Sequence, residues 1–226
     1  MANNTAKTVL APGLVAVRAS ELTVAQRVIR RVIDLAIVLV VLILLIVPIL
    51  VIMALVVTTS RGPILYTQTR VGRSGRHFNV LKFRTMRCGT HTELLSNEQE
   101  RQRYRQNDFK IAADDPRITK AGWVLRKTSL DELPQLVNVF WGDMSIVGIR
   151  PLLPDELGLR PEHDQRLYRS LRPGMTGLWQ VEGRSRVDQA DRIALDRRYA
   201  EQWSVWNDVK ILLRTPCALV KVHRAH

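Results

Sequence analysis

Between Leu35 and Val57 the chain carries no charged residue, and nearly every side chain is aliphatic. A run of this length and composition belongs to a membrane segment, not to a soluble core helix. It begins too far from the N-terminus and lacks a small-residue cleavage site, so it is not a secretory signal peptide. Two features argue against a simple span. Arg27, Arg30 and Arg31 flank one end while Arg61, Arg70, Arg73 and Arg76 follow the other, so both ends look like cytoplasmic flanks. Pro48 lies inside the run, where it removes a helix hydrogen bond and favours a kink. The pieces on either side, 35–47 and 49–57, would be about 20 Å and about 14 Å long as helices, each short of a hydrocarbon core of about 30 Å. The expectation is a re-entrant helix–break–helix over residues 20–58, entering and leaving by one face, with Pro48 as the break. An ordinary kinked span is the alternative.

The rest of the chain is arranged around that segment. Residues 1–19 are polar and small with no period, and are expected to be a disordered lead. Ser20 is a candidate helix cap, and Arg30 or Arg31 can reach Asp34 at helical spacing. A catalytic domain is expected over 59–198 and an amphipathic segment over 199–226, giving a helix-rich α+β fold. Its charge needs a counterpart. With 34 Lys and Arg against 21 Asp and Glu, the net charge is +13, which calls for nucleic acid, acidic lipid headgroups or phosphorylated substrates. The membrane run and the lack of a basic–aromatic recognition motif argue against nucleic acid. Cys88 and Cys217 form no ligand-spaced cluster, so neither a disulfide framework nor a zinc site is expected. A reducing, cytosol-facing compartment fits them.

Two strand-like stretches, Ile64–Gln68 and Phe78–Leu81, flank the polar, glycine-containing Val71–Arg76, which reads as a β-hairpin. Lys82 and Arg84 follow two residues apart, on one face if the strand continues. They would hold a phosphate or an anionic headgroup, or form a solvated basic edge. Residues 89–108 read as a solvated helix or loop without assigned function. Next, Trp123–Lys127 forms a short helix by composition, and Leu136–Trp141 an apolar helical run. Between them stand Asp131 and Glu132. Pro134 is tolerated only in a first helical turn, so the carboxylate pair must sit at or just before a helix start. Ser129 with Glu132 also fits a capping box. Functionally, an anionic nucleophile beside Arg126 and Lys127 suits phosphoryl transfer. Arg150, set before Pro151, is placed for a bidentate phosphate contact. Near the C-terminus, Trp203, Trp206 and the amphipathic Val209–Arg214 suit either a membrane interface or a core-facing stripe.

The ordered blocks Arg126–Gln135, Gly142–Gly148 and Arg150-Pro151 resemble the bacterial sugar transferases, the monotopic polyprenyl-phosphate phosphoglycosyl transferases. The likeness extends upstream through Lys82–Arg84 and Gln68–Gly72 to the proline-broken segment. Downstream it runs through Arg172–Gly177 and Gln180–Arg184. Without a multi-span or sensor module before the core, the resemblance is to the minimal catalytic form. Thr85 stands where the family commonly has serine, Val47 where serine precedes the proline, and Ile149 where proline precedes Arg-Pro.

The resemblance implies a mechanism. Asp131 attacks the sugar-bearing phosphate of a UDP-sugar and expels UMP; polyprenyl phosphate, usually undecaprenyl phosphate, then takes the phosphosugar. Magnesium is implied, with Asp131 as its carboxylate contact and Glu132 in support. Arg126 and Arg150 would bind phosphate or nucleotide, and Lys82 and Arg84 the membrane-proximal side. The expected setting is the cytoplasmic face of a bacterial inner membrane, among anionic phospholipids, as a homo-oligomer or beside downstream glycosyltransferases. The product would begin a glycan such as an exopolysaccharide. A catalytically silent membrane scaffold of a glycan-assembly complex is the competing reading, and Asp131→Asn separates the two.

Overall fold

The computed structural model describes residues 23–107, 109, 111–182 and 188–222, with side chains to residue 218. The expected disordered lead, the Ser20 cap and part of the Gln180–Arg184 block lie outside the described residues.

The first element, α1, spans Val24–Thr59. Thr23 caps it in a reciprocal box, its hydroxyl accepting from the Gln26 N–H while the Gln26 side chain accepts from the Thr23 N–H. The helix is continuous through Pro48, so the expected interruption is not an interruption of helical structure. Proline removes one backbone bond, and packing on both sides of it holds the helix. Arg30, Asp34, Val38, Ile52 and Val56 are buried, with Val41, Leu42, Leu45 and Ile49 partly so. At steps of three or four they form one stripe against the domain. Leu39, Val40, Ile43, Leu44, Val47, Leu50 and Val51 are exposed on the other side. Asp34 makes no close salt bridge with Arg30 or Arg31, although its charge acts on Arg30 as expected. Its carboxylate accepts from the Ser145 hydroxyl (2.8 Å) and the Ile146 N–H (2.9 Å), which dock α1 on a later strand.

Strands β1 (Leu65–Val71) and β2 (His77–Phe83) form the expected antiparallel hairpin, in which Tyr66 faces Lys82 and Gln68 faces Val80. Two short helices follow, α2 (Thr90–Ser96) and α3 (Glu98–Gln106). They are not merely solvated: Leu94, Tyr104 and Phe109 form a small buried cluster with Ile111 and Leu153 packed on it. Helix α4 (Lys120–Thr128) ends at Ser129, whose φ of 59° is left-handed. A 3₁₀ turn, Leu130–Glu132, leads into α5 (Gln135–Trp141), with Pro134 as its cap residue.

Strands β3 (Ser145–Val147) and β4 (Gly174–Thr176) run parallel. Their close approach needs glycine, since a Cβ on Gly174 would lie 2.0 Å from the Gly148 nitrogen. Between them come α6 (Pro154–Gly158) and α7 (Glu162–Ser170), and Tyr168 donates its hydroxyl to the Val71 carbonyl while accepting from Leu152 N–H. The chain closes with α8 (Leu178–Glu182), α9 (Gln189–Glu201) and α10 (Val205–Val222). The two tryptophans divide the alternatives left open for this region. Trp203 packs on the main core and stacks under Arg30, while Trp206 is exposed. Asp208 accepts from Tyr199 (2.7 Å) and Trp203 (3.2 Å) and pairs with Arg30 (3.3 Å), tying α10 to α1.

Candidate active site

Asp131 sits in the 3₁₀ turn before α5, as Pro134 requires. The capping box does not form: Ser129 makes no side-chain cap bond. Its left-handed backbone turns the chain sharply out of α4, and the Glu132 carboxylate is engaged by Lys82 Nζ at 2.6 Å. Asp131 is 8 % exposed and lines a cavity of about 600 Å³ together with Arg70, Lys82, Arg84, Arg126 and Arg150. Burial is the largest influence on its carboxyl and raises its pKa to about 6; Lys82 opposes, Glu132 adds to the rise, and Arg126 opposes. The carboxylate is therefore the main form at neutral pH, largely buried and with cations near it.

Each cation is placed by a different part of the chain. Lys82 comes from β2, and β2 is clamped to α5 by the fully buried Asn138. Its amide accepts from Leu81 N–H (3.0 Å) and donates to the Asn79 carbonyl (2.8 Å). Arg126, on α4, donates through Nε to the Thr85 hydroxyl at 2.9 Å. The Thr85 carbonyl accepts from Thr119 N–H at 3.0 Å, and a Cβ on Gly122 would lie 2.0 Å from that carbonyl oxygen. Only glycine lets α4 lie this close to the strand exit. Burial lowers the Arg126 pKa, partly offset by Asp131. Arg150 lies 3.6 Å from Glu156.

Arg84 is placed differently from the expectation. Its guanidinium donates to the carbonyls of Pro63, Val56 (3.2 Å) and Ser60 (2.6 Å) and to the Ser60 hydroxyl (2.9 Å). It fastens the end of α1 to the domain, and the donors named for phosphate are engaged there. Arg70 is a further cation on the lining, and it is engaged in the same manner, with Glu156 3.5 Å from its guanidinium. It is buried, donates to the Pro151 carbonyl (3.0 Å) and Gln68 (2.6 Å), and lines the cavity with Tyr66 and Gln68. Strand alternation puts Tyr66, Gln68 and Arg70 on one face, a signal that could have singled it out. The far wall comes from the 89–112 region, where His91, Tyr104 and Phe109 line the same space.

For a divalent cation, the described residues gather no group of three His, Cys, Asp or Glu side chains. Magnesium commonly needs only one or two carboxylates, with substrate phosphates and water completing its shell. Asp131 fits that requirement, while Glu132 is engaged with Lys82.

An acidic residue at a helix entrance thus stands among cations, on a domain packed against a long apolar helix. The chain belongs to the bacterial sugar transferase family, which it matches over residues 25–222. It is 48% identical over 162 residues to a protein from Salmonella typhimurium named undecaprenyl-phosphate galactose phosphotransferase, covering 70% of this chain and 34% of that one. An uncharacterized sugar transferase from Haemophilus influenzae is 50% identical over 157 residues, covering 68% and 33%. The exopolysaccharide production protein ExoY of Sinorhizobium fredii is 42% identical over 190 residues, covering 82% and 83%. The chain thus spans about a third of the length of the first two relatives and most of the third.

Proposed function

We propose that this chain transfers a phosphosugar from a UDP-sugar to polyprenyl phosphate, giving polyprenyl diphosphosugar and UMP. The observation that carries this reading is the buried Asp131 carboxylate lining a cavity of about 600 Å³ with Lys82, Arg70, Arg126 and Arg150. The names of relatives support the substrate class: besides the galactose phosphotransferase, a Caulobacter vibrioides protein 41% identical over 176 residues is named UDP-glucose:undecaprenyl-phosphate glucose-1-phosphate transferase.

In the first step an Asp131 carboxylate oxygen bonds to the sugar-bearing phosphorus. The bond from that phosphorus to the bridging oxygen breaks, and UMP departs with the electron pair. In the second step an oxygen of the lipid phosphate bonds to the same phosphorus, and the Asp131 ester bond breaks. This restores the carboxylate and leaves the diphosphate on the lipid. Lys82 and Arg126, the cations that act on Asp131, offset charge that gathers on the transferring group. Glu132 keeps Lys82 in place. Magnesium, held by Asp131 and the diphosphate oxygens, would supply further charge neutralisation.

The proposed setting is the cytoplasmic face of the inner membrane, with α1 entering and leaving by that face. The packing of both ends of α1 on the domain, Arg30–Val38 at one and Ile52–Val56 at the other, supports this topology, because a spanning helix would carry the domain at one end only. The test of the activity is UMP release in nanodiscs containing undecaprenyl phosphate and magnesium, over a panel beginning with UDP-galactose and UDP-glucose. At least one donor is expected to release UMP; none doing so with folded protein overturns the reading.

A further inference from the structure

A second cavity of about 320 Å³, sharing no lining residue with the first, lies at the other end of α1. Val24, Arg27, Val28, Arg31 and Val32 line it from the helix, Arg73 from the hairpin turn and Arg172 from the segment before β4. Three separated parts of the chain thus bring four guanidinium groups together, and no carboxylate is among the lining residues. Arg31 and Arg172 converge closely: the position of a Cβ on Gly142 lies 3.8 Å from Arg31 Nη2 and 3.9 Å from Arg172 Nη2. Arg31 donates to the Val139 (2.5 Å) and Phe140 (2.6 Å) carbonyls, which orient its charge without neutralising it. Burial and the like charges of Arg31, Arg73 and Arg30 lower the Arg172 pKa, with Asp34 opposing more weakly. Arg31, Arg73 and Arg172 thus bear on one another as like charges, an arrangement that an anion bound among them would relieve.

The surroundings indicate which anion. Val24, Val28 and Val32 are 73%, 55% and 60% exposed on the same wall. Phe140 and Trp141 are exposed beside Arg31, as aromatic side chains at a headgroup boundary are. The cluster flanks the uncharged run 35–57, so a bilayer that takes up the run would bring lipid phosphates beside it. A soluble anion would gain nothing from the valines, whereas a phospholipid can place its phosphate among the arginines and an acyl chain along them.

We propose that the Arg27–Arg31–Arg73–Arg172 cavity is a binding site for the phosphate of an anionic phospholipid, separate from the Asp131 site. The experiment is native mass spectrometry of the full chain released from nanodiscs of phosphatidylethanolamine with one-fifth phosphatidylglycerol. Wild type should retain one phosphatidylglycerol in preference to phosphatidylethanolamine, and retention should survive millimolar inorganic phosphate. The double variant Arg73→Gln/Arg172→Gln should lose that adduct at least fivefold. Arg103→Gln/Arg166→Gln, which removes the same charge elsewhere, should keep it. Arg73→Gln alone, on an exposed turn, provides a second variant should Arg172 prove necessary for folding, with at least a twofold loss expected. Unchanged retention in folded site variants, equal loss in the control, no lipid preference, or displacement by inorganic phosphate would each overturn the proposal. Lipid retention is read without turnover, so the outcome is independent of the transferase reading.

Discussion

Burial raises the Asp131 pKa from 3.8 to about 6, and the same shift bears on catalysis and on stability in opposite senses. The ionised form is the nucleophile, so UMP release should rise as pH passes through about 6 and level off above it. For folding, a raised carboxyl pKa favours the native state while the group is protonated. That contribution is full below the unfolded value of about 4 and is lost as pH rises through about 6. It corresponds to on the order of 3 kcal/mol. Asp131→Asn is therefore expected to reduce UMP release by at least roughly 10³-fold while raising Tm at pH 7.5 by roughly 5 °C. A silent scaffold would show the second effect without the first. Thr85 allows a finer test, since its hydroxyl is the acceptor for Arg126 Nε. Thr85→Val should lower UMP release about tenfold, which is about 1.4 kcal/mol and near the lower end of the roughly 1.5–3 kcal/mol of one hydrogen bond to a charged group, and Thr85→Ser should retain it; equal rates in both variants would dissociate Thr85 from Arg126.

Among the elements, α5 and β2 depend on one amide. Asn138 is 1% exposed and serves both Leu81 N–H and the Asn79 carbonyl. Asn138→Ala removes both bonds and should cost about 2–3 kcal/mol, measured as the loss of unfolding free energy in a reversible detergent titration. A loss below about 0.5 kcal/mol would show that water replaces the amide. Nothing in the one-dimensional pattern marks this residue, because an asparagine inside an apolar helical run has no visible partner until β2 is laid beside it. The hairpin and the α5 start were legible for the opposite reason: strand composition around a glycine turn and the allowed positions of proline are local rules. The capping box was misread by the same local logic. Ser129 and Glu132 have the right spacing, but the left-handed Ser129 backbone and the distant Lys82 take them elsewhere. Arg84 illustrates a further limit, since its spacing from Lys82 was enough to bring it to the cavity lining but not to foresee its bonds to the Val56 and Ser60 carbonyls.

For the molecule as a whole, hydropathy made α1 legible and the flanking arginines suggested a single face, but the way the helix meets the domain required tertiary structure. The topology is tested with single cysteines at Thr23 and Ser60, in a background where the exposed Cys88 and Cys217 are serine. Both positions should react only with reagent applied from the cytoplasmic side, and labelling from opposite sides would establish a span. The docking of α1 also bears on how such a chain can be handled. Val38 belongs to the main core, Ile52 and Val56 cover Phe83 and Leu125, and Asp34 holds the first residues of β3. A fragment beginning at residue 61 would forfeit those contacts and deprive Arg84 of its Val56 and Ser60 partners. Such trimming is expected to uncover an apolar trough and to give a protein that aggregates. The expected consequence is that deleting the apolar helix does not by itself remove the need for detergent or lipid, because the surface it leaves behind is as apolar as the helix that covered it.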